Sequence, residues 1–283
     1  MDPFVLILVL AAAVLHAIWN ALIKSGGDAW VRLAIANVTC SIVAIFLLPF
    51  VAVPAPATWP FILGSVTVHQ VYFMFLALQY RVGDLSYVYP ISRGVAPLLV
   101  AVTAYVFAGE TLNLAGAVAV ALICGATLSL TFSRGGKWLA GDPRSTLFAL
   151  CTSVTIAAYT LVDGLGGRST PNVADYIVYL FLIDSVPFAV LVVFLRRRSL
   201  APTIRDHWKT GTFGGLLAFL AYGLVIWAMT LSPLTYVSAL RETSVILAAL
   251  IGTRVLNEPF GARRIAAACC VAAGVVLLQF SQG

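Results

Sequence analysis

From Phe4 to Phe280 the chain is a succession of apolar runs of roughly 18 to 23 residues with scarcely a pause between them. A run of that length crosses about 30 Å of hydrocarbon as a helix. Within lipid every backbone amide must be satisfied inside the protein, so spanning segments are helices or a closed barrel. Continuous apolar runs lack the period-2 alternation of a barrel strand. The expected fold is therefore an all-α integral membrane protein. Composition agrees: 61% of the 283 residues are hydrophobic and 10% are charged, whereas a water-soluble surface needs about a quarter charged residues.

Breaks marked by Gly, Pro and charge place ten transmembrane helices near 3–23, 32–50, 59–80, 86–107, 112–132, 145–163, 174–195, 211–230, 234–255 and 264–280. Met1-Asp2-Pro3-Phe4 has no basic region and Leu15-His16-Ala17-Ile18-Trp19 is unlike a cleavage site, so the first run is expected to stay as a helix. Loops after odd-numbered helices hold Lys24, Arg32, Arg81, Arg134, Lys137, Arg144, Arg196, Arg197, Arg198, Arg205, Lys209, Arg263 and Arg264. Those after even-numbered helices, and both termini, hold Arg168 alone. Cytoplasmic loops carry the excess of cations, which puts both termini outside the cytoplasm. The net charge of +6 is thereby explained by topology, and no nucleic-acid partner is expected. Cys40, Cys124, Cys151, Cys269 and Cys270 fall inside apolar runs at none of the zinc-binding spacings. They are expected to be small core residues, with no metal and no cofactor.

The chain resembles itself. Leu85-Ser86-Tyr87-Val88 recurs as Leu234-Thr235-Tyr236-Val237, and Gly109-Glu110-Thr111-Leu112 as Asn257-Glu258-Pro259-Phe260, at shifts of 149 and 148 residues. The second shift also lays Arg93 on Arg241. Five helices is an odd number, so the second half enters the membrane from the opposite side. The expected organisation is two inverted-topology five-helix repeats, residues 1–133 and 144–283, joined by a cytoplasmic linker at 134–143. Such repeats hold a substrate site near the midplane between the halves.

Ten hydrophobic helices split five plus five, with a Gly-Glu or Asn-Glu pair in the loop before the final helix of each half, resemble the drug/metabolite transporter superfamily. The chain is similar to its ten-helix EamA-type exporters over its whole length, from His16-Ala17-Ile18-Trp19-Asn20-Ala21 to Gly274. The resemblance implies a multi-pass protein of a bacterial inner membrane. It also implies export of amino acids, with exporters of aromatic amino acids nearest in character.

A polar side chain within a span costs roughly 2 to 3 kcal/mol on insertion scales, so each one should face a cavity or a partner. In the first helix His16, Trp19 and Asn20 share one face at i, i+3 and i+4, either lining a cavity or packing against another helix. The third helix repeats the pattern with His69, Tyr72, Leu76 and Gln79, with Gln70 beside that face. The fourth holds Tyr87, Tyr89, Pro90, Ser92, Arg93 and Pro97 within eleven residues. Its two prolines remove amide donors, so a kinked or broken helix is expected. Arg93 is placed to hold a substrate carboxylate or to pair with Glu242.

The ninth helix carries Tyr236, Ser238, Arg241, Glu242, Thr243 and Ser244. Arg241 and Glu242 point about 100° apart, so each should seek a partner elsewhere, and Asp184 in the seventh helix is a further complement. Glu242 aligns with Gly94 and so breaks the repeat. That marks it, with Asp184, as a candidate for proton coupling or gating, or for a structural salt bridge. Tyr159 and Asp163 in the sixth helix and Tyr222 and Trp227 in the eighth complete the polar and aromatic set. Trp19, Tyr72, Tyr89, Tyr159 and Trp227 are expected to form an aromatic wall, whereas Trp30, Trp59, Trp138 and Trp208 sit at span edges as interfacial anchors. Glu110 and Glu258 are placed to accept hydrogen bonds from the first amides of the helix that follows each. The triple arginine Arg196–Arg198 reads as an anchor on anionic headgroups.

The expected substrate-binding set is thus His16, Trp19, Asn20, His69, Tyr72, Gln79, Tyr89, Arg93, Tyr159, Trp227 and Arg241, with Glu242, Asp184, Pro90 and Pro97 for coupling or gating. No GxxxxGK[ST] for ATP occurs, nor GxSxG or HExxH, so no catalytic residues are expected. The function expected is secondary transport: export of small polar organic molecules, amino acids first, by alternating access, from a chain acting as a monomer in the bilayer. Transport of other metabolites such as drugs or nucleotide or phosphate sugars is the alternative, ahead of a channel or a membrane enzyme.

Overall fold

A computed structural model describes residues 2–24, 28–83, 85–131, 142–247 and 262–281. These form ten α-helices: α1 (Pro3–Lys24), α2 (Ala29–Leu47), α3 (Trp59–Val82), α4 (Leu85–Ala108), α5 (Leu114–Ser129), α6 (Pro143–Arg168), α7 (Val173–Leu195), α8 (Arg197–Leu231), α9 (Leu234–Arg241) and α10 (Ala262–Phe280). No strand occurs among the described residues. Seven of the helices are long and apolar enough to cross a bilayer, and α5 and residues 265–280 are shorter apolar helices. The expectation of an all-helical, multi-span chain is met. Arg134, Lys137, Trp138 and Glu258 lie outside the described residues.

Local sequence fixes where most helices begin. Asp28, Asn113, Asp142 and Asn172 each accept a hydrogen bond from an amide two or three residues on, at 2.8 to 3.1 Å. Asp2 does the same for Phe4 at 2.8 Å. A helix end in an apolar setting cannot leave its first amides bare, so short acids and carboxamides mark the starts. Pro143 adds a preset φ at the first position of α6.

Surface and interior are inverted relative to a soluble protein. Phe46, Phe50, Phe107, Leu114 and Phe280 are each more than 65% exposed, while Arg32, Ser65, Gln79, Ser153, Thr160, Asp163 and Ser244 are fully buried. Apolar groups face outward where the surroundings are lipid, and polar groups gather inside where they find each other.

The helices pack in a pattern that repeats. α1 lies on α8 as α3 lies on α6, and α4 lies on α6 as α1 lies on α9. α2 pairs with α7, α4 with α9 and α5 with α10. Within this set of pairs, replacing each helix by the one five places along gives a pair of the same set.

Five expectations are corrected. The break foreseen in the fourth helix is absent, since α4 is helical through both Pro90 and Pro97. It falls instead in the ninth, where α9 ends at Arg241, the backbone tightens to three-residue bonds around Glu242, and helix resumes at 243–247. Arg32, read as a loop cation, lies inside α2 with no exposed surface, donating to the Leu22 carbonyl and, at 3.4 Å, to Thr210. The Asp28 cap starts α2 before that arginine rather than at it. The segment 196–210, read as a loop, is the first third of α8, and Arg196 pairs with Asp28 at 3.5 Å while covering the Trp30 ring. Trp30 accordingly packs inward against Phe188 at 6.0 Å instead of marking a span edge. Cys40 and Cys124 are buried as expected, whereas Cys269 and Cys270 lie on the outer face of α10.

Candidate functional site

A cavity lies among α1, α2, α3, α6, α7, α8 and α9. α1 contributes His16 and Trp19, α2 Asn37 and Cys40, α3 His69, Tyr72 and Phe73, and α6 Tyr159. α7 supplies Leu180, Phe181 and Asp184, α8 Ala218 and Tyr222, and α9 Arg241.

On α1 the helical spacing brings Trp19 over His16, and the indole nitrogen donates to Nδ1 of the imidazole at 3.0 Å. An indole N–H can only donate, so Nδ1 of His16 is an acceptor and its ring proton sits on Nε2. On α3 His69 Nδ1 lies 3.0 Å from the Ser65 hydroxyl and 3.1 Å from its carbonyl. The His69 ring stacks on Tyr159 at 4.5 Å, with Tyr72 and Tyr222 edge-on at 6.2 and 5.6 Å. Four aromatic groups from three helices thus brace one another, which holds their faces in fixed directions.

Charge enters this wall at two places. Asp184 is nearly buried and accepts from Gln70 Nε2 at 3.1 Å, the same amide donating to its backbone carbonyl at 2.9 Å. Arg241, buried to the same degree, points its guanidinium at the Tyr222 ring, 5.6 Å from the centroid. Tyr222 in turn donates to Asp163, which also receives the Tyr176 hydroxyl at 2.8 Å. Tyr176 reaches that carboxylate because residue 166 is glycine, where a methyl group would overlap the ring. Asp163 is a satisfied buried acid held by two phenols.

The charged pair beside the cavity is different. Arg93 donates to Glu242 at 3.0 Å, with both side chains buried, and reaches the Arg241 carbonyl at 3.4 Å. Adjacent residues 241 and 242 point apart as the helix demands, one to the cavity and one to α4. Paired arginine and glutamate here tie α4 to α9.

A second tie joins the halves at the other end of α9. Gly109 has φ of 66°, a left-handed conformation that glycine adopts without strain, and it ends α4 so that Glu110 turns toward α9. The Glu110 carboxylate accepts from the Leu234 and Thr235 amides at 2.9 and 3.4 Å and pairs with Arg168 at 3.0 Å. This corrects the expectation that Glu110 caps the helix after it, a role that Asn113 fills. The capped amides belong to the opposite half, a partner invisible to local spacing.

Of the residues expected to bind substrate, His16, Trp19, His69, Tyr72, Tyr159 and Arg241 are brought together on the cavity wall, and Asp184 joins them. The others are elsewhere. Asn20 turns back to the His16 carbonyl at 2.8 Å. Gln79 is buried on α3, seven residues or about 10 Å beyond Tyr72. Tyr89 sits near the Arg93–Glu242 pair, one turn before Arg93. Trp227 is 40% exposed and meets Phe4 on the outer surface at 5.6 Å. Among residues the expectations passed over, Asn37 had a signal, being a carboxamide in the apolar helix α2. Phe73, Phe181 and Cys40 had none, because only packing selects which apolar side chains face a void.

Residues 144–280 match the EamA-like transporter family. A solved crystal structure of a protein aligns over 99% of this chain and 98% of its own, with a TM-score of 0.80 at 15% identity, which shows a shared fold. No curated protein sequence matches. The chain is therefore a multi-helix membrane protein in which residues 144–280 match the EamA-like transporter family.

Proposed function

We propose that this protein is a secondary transporter of small polar organic molecules, with amino acids as its cargo, working by alternating access around the central cavity. The observation that carries the reading is a buried arginine, Arg241, lining a cavity that is otherwise largely aromatic. A guanidinium suits a carboxylate, and Trp19, Tyr72 and Tyr159 offer flat surfaces to an apolar side chain. Nucleotide or phosphate sugars fit less well, since a phosphate dianion calls for more than the single arginine that lines the described cavity. The repeated packing pattern supports two five-helix halves, 1–133 and 144–283, of inverted topology. In this reading the Arg93–Glu242 and Glu110–Arg168 ties are where the halves grip and release, and both termini lie outside the cytoplasm.

Counterflow of labelled amino acids into liposomes holding the purified protein tests the function. Trans-stimulation by unlabelled cargo is expected, and its absence across the twenty amino acids would sink the reading. Transport with an unchanged pH profile in Glu242→Gln would remove that residue from any proton coupling. A C-terminal fusion to alkaline phosphatase should be active, and a fluorescent cytoplasmic fusion in its place would overturn the orientation.

A further inference from the structure

Two charges face the cavity without a counter-ion. No carboxylate among the described residues lies within ion-pair distance of Arg241, and no cation within that distance of Asp184. Glu242, the acid next to Arg241 in sequence, is taken by Arg93 at 3.0 Å. The partner of the Asp184 side chain is a neutral amide, that of Gln70. Both are almost completely withdrawn from solvent, at 4% and 5% exposure.

The two also stand on different walls. Asp184 belongs to α7, which packs on α2, α3 and α8, whereas Arg241 belongs to α9, which packs mainly on α4, α1 and α5. The Tyr222 ring stands 5.6 Å from the Arg241 guanidinium, and the His69 ring 5.6 Å from Tyr222. An unpaired buried charge is costly wherever the dielectric is low, and no ion pair joins these two.

We infer that Asp184 is the ammonium subsite of the cavity and Arg241 the carboxylate subsite, so that the cargo is a zwitterion read at both ends. This rests on the transport reading above and deepens it. A zwitterion satisfies both charges at once. A monoanion leaves Asp184 bare and a monocation leaves Arg241 bare, so selectivity arises from what the wrong cargo strands.

The test uses the full chain in liposomes, labelled phenylalanine as cargo, and 3-phenylpropionate and phenethylamine as competitors lacking the ammonium or the carboxylate. In the wild type each analogue should compete at least tenfold more weakly than unlabelled phenylalanine. In Asp184→Asn the apparent affinity for phenylalanine should fall at least tenfold, and phenylalanine should lose its advantage over 3-phenylpropionate. Wild-type competition as strong from either analogue as from phenylalanine overturns the proposal without any variant, which covers the case of a variant that fails to fold. Asp184→Asn with unchanged affinity and unchanged discrimination also overturns it. Absence of counterflow in the wild type for phenylalanine and for every other amino acid counts against the transport reading itself, and the subsite falls with it; where another amino acid is the cargo, the same comparison is made with its deaminated and decarboxylated analogues.

Discussion

Arg93 and Arg241 lie 148 residues apart, the offset at which the sequence resembles itself, and are equally buried, yet their surroundings make them different devices. Arg93 is locked to Glu242 between α4 and α9, while Arg241 faces the cavity over an aromatic ring. The asymmetry comes from one position. Glu242 follows Arg241, but its counterpart is Gly94, where an added Cβ would stand 2.9 Å from Leu128. The close approach of α5 to α4 leaves no room for an acid there. Of two equally buried arginines, packing against the neighbouring helices decides which is neutralised within the protein and which stays available.

The sharpest way to break this comparison is to remove the acid. Glu242→Ala strands a buried guanidinium, which should cost about 3 to 5 kcal/mol and appear as a large fall in the melting temperature of the solubilised protein. Replacing the pair together, Arg93→Met with Glu242→Leu, should recover much of that loss. A stable single variant would show that the pair does not hold α4 to α9.

Arg241→Ala should behave oppositely, because no protein carboxylate among the described residues depends on it. It should weaken cargo binding by about 2 to 3 kcal/mol, on the order of 30- to 150-fold, with little change in melting temperature. Destabilisation as deep as that of Glu242→Ala would erase the distinction between the two arginines.

Trp19→Ala should act on the cargo body, not its charge. About 1 to 1.5 kcal/mol of stacking is at stake, read as a roughly tenfold higher KM for bulky amino acids and little change for small ones. Equal effects on glycine and tryptophan flux would take Trp19 off the cargo path. The smallest effect is expected at the outer tie, where Arg168 is 32% exposed and its pair with Glu110 is screened by solvent. Arg168→Ala should cost about 0.5 to 1 kcal/mol, a shift of a few degrees in melting temperature, against the much larger loss at the buried tie.

Much of the fold was legible in the chain because a membrane imposes length and polarity rules on every span. Most helix boundaries fall within a few residues of those read from apolar runs. The largest misses are the beginning of α8, where an amphipathic stretch carries on the helix, and the end of α9 at Glu242. The site was legible in part. Six of the eleven expected binding residues share the cavity, since buried polar groups on helical spacing must face inward somewhere. Asn20, Gln79, Tyr89, Arg93 and Trp227 show the limit: a helix has more than one inward direction, and sequence spacing does not say which neighbour each face meets.

By itself the sequence determined an all-helical multi-span protein, most of its helix boundaries to within a few residues, and the short list of polar residues that lipid cannot host. Those follow from local chemistry, an amide that needs an acceptor or an apolar run that needs oil. Only the tertiary structure decided that Glu110 serves the opposite half, that Glu242 belongs to Arg93, and that Arg241 and Asp184 are left facing one cavity. Each of these is a choice among partners distant in the chain, made by helix packing, and a charge has no means of recording in its own neighbourhood which partner will arrive.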